Sequence, residues 1–60
     1  MSAYDEEEIL LMINDCADRE EKLSDWERGF ISSVGDMADK KIRLSVRQLE
    51  ILNNVWDRVT

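Results

Sequence analysis

Residues 44–56 read Leu44-Ser45-Val46-Arg47-Gln48-Leu49-Glu50-Ile51-Leu52-Asn53-Asn54-Val55-Trp56. Ser45 and Gln48 stand at capping-box spacing, in which each side chain satisfies the other residue's backbone N–H at a helix start. Leu44 precedes the cap and Leu49 falls at the fourth helical position, the pairing of a hydrophobic staple. Leu49, Leu52, Trp56 and Val59 then share one helical face, with Ile51 and Val55 widening it. A face that wide has to be covered by the rest of the chain or by a partner.

Working back, Leu23-Ser24-Asp25-Trp26-Glu27 repeats the signal, with Ser24 and Glu27 as the box and Asp25 favourable at the positive helix end. Trp26, Phe30, Ser33, Val34 and Met37 form the expected inner stripe of this second helix, flanked by Ile31 and Ala38. Gly29 and Gly35 each weaken it by about 1 kcal/mol relative to Ala. They are expected where a helix or a Trp ring packs on bare backbone, unless the helix simply ends early near Met37. The second and third helices echo each other at an offset of 21 residues. Leu23-Ser24, Glu27, Phe30, Ile31, Val34 and Asp36 correspond to Leu44-Ser45, Gln48, Ile51, Leu52, Val55 and Asp57. Between the two helices, Lys40 and Lys41 suit the negative end of the second helix, and Ile42 reads as a plug over the edge of the core.

The first helix starts near Ser2 to Asp5, capped either by Ser2 with Asp5 or by Asp5 with Glu8. Glu6, Glu7 and Glu8 fill its first turn, and Ile9, Met12, Ile13, Cys16 and Ala17 follow at helical spacing. Leu10 and Leu11 lie off that stripe, as a second contact face or as an extension of the core. The charged run Asp18 to Lys22 is expected to fray into a loop. No proline and no alternation of β-branched with polar residues argues for strands. The expected fold is therefore all-α: one domain over 1–60, a small three-helix bundle with helices near 4–21, 25–38 and 45–58, an acidic first helix and a helical hairpin over 23–58. Trp26, Phe30, Val34, Leu49, Leu52 and Trp56 are its expected core, joined by Ile9, Ile13 and Cys16. The leftover apolar residues Leu10, Leu11, Ile31 and Ile51 are the expected interaction surface, in the first instance of a homodimer.

Sixty residues with one cysteine and no histidine leave no internal disulfide and no structural zinc site. A chain this short buries only roughly 60% of its unfolded surface, so assembly or a larger partner is the remaining aid. A lone cysteine suits a reducing cytosol. No secretory pattern follows Met1 and no apolar run is long enough to span a bilayer, so a cytoplasmic protein is expected, with no membrane partner. The net charge of −6 is uneven. Residues 1–27 set ten acids against Arg19 and Lys22, giving −8, and residues 28–60 set four acids against six bases, giving +2.

Catalysis finds little support. Without histidine, a general base would be a shifted carboxylate or lysine, and Cys16 lies on the apolar stripe as an inert thiol. There is no Gly-rich phosphate loop. The i, i+3 pairs Asp15 with Asp18 and Asp36 with Asp39 lack calcium-loop spacing. No catalytic residue, cofactor or metal site is expected. Lys40, Lys41, Arg43 and Arg47 are candidate phosphate or anion contacts at a helix N-terminus. Leu44 to Leu52 resembles the opening helix of bacterial helix-turn-helix regulators, but no recognition helix follows it. The acidic face of Glu6, Glu7, Glu8, Asp15 and Asp18 suggests instead a nucleic-acid mimic inhibiting a DNA-processing or defence enzyme.

The pattern Leu23-Ser24-x-Trp26-Glu27-x-x-Phe30-Ile31-x-Ser33, a charged spacer, then Leu44-Ser45-x-x-Gln48-x-x-x-Leu52-x-x-x-Trp56-Asp57-Arg58 resembles a helical segment of phage and mobile-element proteins. There it occurs as a small stand-alone protein or as a tail on replication and DNA-processing proteins. The resemblance covers residues 23–58 and brings no catalytic residues. It implies a docking element in DNA metabolism or host takeover. The combined expectation is a non-enzymatic protein-interaction module, acting in the host cytoplasm if phage-encoded. An acidic mimic and a weak nucleic-acid binder are its rivals.

Overall fold

Each helix of the computed structural model, which describes residues 5–60, begins where a side chain caps it. Helix α1 spans Glu6–Asp18, a single 3₁₀ turn follows at Glu20–Lys22, α2 spans Asp25–Asp39 and α3 spans Val46–Val59. Asp5 is the α1 cap, its Oδ1 accepting from the Glu8 N–H at 2.8 Å. The alternative cap, Ser2, and the expected start at Tyr4 lie outside the described residues. Both serine capping boxes form. Ser24 N–H donates to Glu27 Oε1 at 2.8 Å and Ser45 N–H donates to Gln48 Oε1 at 2.8 Å, and each serine hydroxyl accepts in return. Helix α1 stops at Asp18, short of the expected 21, because Glu20–Lys22 closes a separate turn in which Leu23 N–H donates to the Glu20 carbonyl.

The α2–α3 connection is a Schellman stop without glycine. Lys41 N–H donates to the Ala38 carbonyl and Ile42 N–H to the Met37 carbonyl, the paired bonds that terminate a helix through one left-handed residue. That residue is Lys41, at φ 59°, where a Cβ costs about 1–2 kcal/mol.

The three helices run up, down and up. Glu27 meets Arg58 and Met37 meets Gln48, so α2 and α3 are antiparallel, while Asp15 meets Trp56 near the shared ends of α1 and α3. Helix α1 is the common partner: it packs on both others, which touch each other least. Helices α2 and α3 are the antiparallel neighbours that their short connection suggests, with α1 packed across both. The core is Met12, Ile13 and Cys16 of α1, Leu23 before α2, Ile31 and Val34 of α2, and Leu52, Val55 and Val59 of α3.

Helix α2 corrects the expected stripe. Its inward residues are Ile31 and Val34, with Ala38 packed beside them. Trp26, expected in the core, is 62% exposed, and Ile31, expected on the surface, is 5% exposed. One rotation of the helix explains both. Helix α1 lies on the side of Gly35, where a Cβ would meet Ile13 Cγ2 at 3.6 Å, and Leu23 takes the buried place at the α2 entrance. Leu49 is likewise half-buried at the margin of the core. Of the two glycines, Gly35 faces a neighbouring helix as expected, whereas a Cβ at Gly29 would meet nothing within 4 Å.

Candidate interaction surfaces

The bundle has two unlike ends. At the end where α1 and α3 finish, polar groups bind one another. Trp56 Nε1 donates to Asp15 Oδ2 at 3.1 Å, and Asp15 also faces Arg19 at 3.9 Å. Arg58 donates to the Lys22 carbonyl at 3.1 Å and to the Glu27 carboxylate. Glu27 is held below the usual carboxylate range, first by the Ser24 backbone N–H and then by Arg58. Cys16 is fully buried there, and burial followed by the nearby Asp15 charge pushes its thiol upward. A thiol shifted that way stays protonated and unreactive at neutral pH.

At the end where α1 and α3 begin, an open groove of about 660 Å³ lies between the first turns of α1 and the α2–α3 connection. Ile9, Leu10, Ala38, Ile42, Leu44 and Leu49 supply its apolar lining. Leu10 and Ile42 are 44% and 50% exposed, so Ile42 lines a groove rather than plugging one. Asp5 and Glu6 stand on the α1 wall, and Asp39, Lys41 and Arg43 on the opposite wall. None of these five side chains is in an ion pair with a described residue.

The expected surfaces are divided by this arrangement. Leu10 and Leu11 are exposed on α1, Ile31 is in the core and Ile51 is half-buried against it, so these four residues do not make one patch. In the basic cluster, Lys40 pairs with Asp36 at 3.0 Å, Lys41 and Arg43 line the groove, and Arg47 is exposed on the first turn of α3. In the acidic set, Glu6, Glu7, Glu8 and Asp18 are exposed, but Asp15 is drawn to Trp56. The two candidate cation pairs are each engaged through one member, Asp15 by Trp56 and Asp36 by Lys40.

A further surface is one that the expected α2 stripe concealed. Trp26 stacks on Phe30 with ring centroids 5.4 Å apart and planes 8° from parallel. Phe30 packs against the core and Trp26 lies over it in solvent. The 21-residue echo carried the correct phase. It pairs Ile31 with Leu52 and Val34 with Val55, all four of them buried.

Set beside known protein families, curated proteins and solved structures, the chain matches none. None of the described helices is long and apolar enough to cross a membrane.

Proposed function

We propose that this chain is a non-enzymatic protein-interaction module that docks on a larger protein, with the Trp26–Phe30 stack as its anchor. The observation that carries this reading is the 62% exposure of Trp26, which stands on a neighbouring ring instead of in the core. Aromatic side chains presented this way dominate binding hot spots, because a rigid ring buries much area at small entropic cost. The partner's matching feature is an apolar slot wide enough for an indole. The resemblance of residues 23–58 to a phage and mobile-element segment supports the same reading, since Trp26 and Phe30 belong to that pattern and would be its docking side chains.

The test is capture from the native host with wild-type protein and Trp26→Ala. A specific partner held at high salt and released by Trp26→Ala, with the circular dichroism unchanged, supports docking. A partner held only at low salt and lost on reversing Glu6, Glu7 and Glu8 would mark an acidic mimic instead. Retention of labelled DNA that weakens when Lys41 and Arg43 become Ala would mark a nucleic-acid binder.

A further inference from the structure

We infer that the open groove is a contact between two copies of this chain, related by a two-fold axis. A symmetric interface brings one patch against itself, so residue i of one copy meets residue j of the other and the reverse. A patch suits that arrangement when it is apolar at its centre and carries opposite charges on its two sides. The groove has this layout. Leu10 and Ile42 stand half-exposed in its apolar lining, Asp5 and Glu6 on one wall, and Lys41 and Arg43 with Asp39 on the other. Turned onto a second copy, the α1 wall of each faces the connection wall of its partner. The exposed Leu10 and Ile42 of one then enter the apolar lining of the other.

The opposite charges of its two walls favour this groove for a self-contact. The protein carries −6 overall, which opposes self-association. Seven acids and four bases lie toward each end of the bundle, so it is the placement of opposite charges on the two groove walls, not the net charge of that end, that suits a self-contact. Among the described residues no ion pair involves Glu6, Lys41 or Arg43 of the groove rim, whereas Arg58, Glu27 and Asp15 at the far end are occupied internally. Trp26 is not part of this contact, so the inference stands apart from the docking reading.

The experiment is sedimentation of the full chain over a range of concentrations, with two charge-altered variants. Lys41→Glu with Arg43→Glu makes the rim acidic throughout. Asp5→Asn with Glu6→Lys makes it predominantly basic and keeps the α1 cap, because asparagine also caps. Wild type is expected to dimerise reversibly. Each variant alone should dissociate at least about tenfold more readily, since symmetry repeats every altered contact twice. An equimolar mixture should recover dimer, because each acidic wall again faces a basic one. Should a double variant fold poorly, Arg43→Ala and Glu6→Gln provide milder forms, each expected to weaken the dimer. A wild-type chain that stays monomeric overturns the inference. So does a dimer that neither variant weakens, or a mixture that fails to recover it, as would occur if these ions paired only within one chain. None of these results bears on capture through Trp26.

Discussion

Where α1 and α3 finish, charged and polar side chains bridge between elements; where both begin, the charged side chains of the groove rim form no ion pair among the described residues. Trp56 and Asp15 join the two helix ends, and Arg58 ties α3 to Glu27 and to the carbonyl of Lys22. At the opposite end Asp5, Glu6, Lys41 and Arg43 stand around a partly filled apolar groove without an ion pair among the described residues. The contrast teaches that cross-element ion pairing among the described residues is concentrated at one end of the bundle. A cross-helix hydrogen bond contributes about 0.5–1.5 kcal/mol, enough to matter in so small a domain. The groove rim forgoes that gain among the described residues, and its side chains are those of the proposed self-contact.

The contrast is sharpened most by substitutions at the middle and at the open rim. Leu52 is fully buried where the three helices meet, and Leu52→Ala should cost about 2–5 kcal/mol through lost transfer energy and a residual cavity. Leu10→Ala at the groove should stay within about 0.5 kcal/mol of the parent in dilute monomer. Urea unfolding of the two variants checks this, and a Leu10→Ala cost rivalling Leu52→Ala would break the distinction between core and open end. Next in size is the closed end. Trp56→Phe keeps most of the ring and removes its bond to Asp15, and should cost about 0.5–1.5 kcal/mol by the same assay.

The reading of the sequence separates along similar lines. Helix number, the two serine boxes and the α3 face were legible because capping and 3.6-residue spacing are local signals. Leu52, Val55 and Val59 are buried as that face required. The phase of α2 was not, because Trp26, Phe30, Ile31, Val34, Met37 and Ala38 support two adjacent stripes. Which of the two turns inward depends on where α1 lies, a tertiary fact. The echo between Ile31 and Leu52 was the local signal that resolves it, since it transfers the clearer α3 phase onto α2. The groove was hidden for a further reason. Its shape follows from the left-handed turn at Lys41, where no glycine announces a helix stop.

Three smaller effects refine the comparison. Gly29 faces open space, so Gly29→Ala should stabilise by about 0.4–1 kcal/mol, through reduced freedom of the unfolded chain. At the open end, Lys41→Gly relieves a left-handed Cβ but adds unfolded-state entropy, for a net gain of about 0.5 kcal/mol. Thermal melts of both should move upward, the first by more. The smallest effect is a dependence on pH at the closed end. Glu27 has a lowered folded pKa, so its contribution is present above the ordinary glutamate value of about 4.5 and is lost as pH falls through the lower folded value. Acid titration of stability should flatten in Glu27→Gln relative to the parent over that window.

The account turns on an open end that is kept for contact, and amide hydrogen exchange at low and high protein concentration measures that most directly. Added protection at high concentration is predicted for residues 7–11 and 41–49, with Cys16 and Leu52 at the helix crossing unchanged. Exchange that ignores concentration, or protection that rises evenly along all three helices, would contradict it.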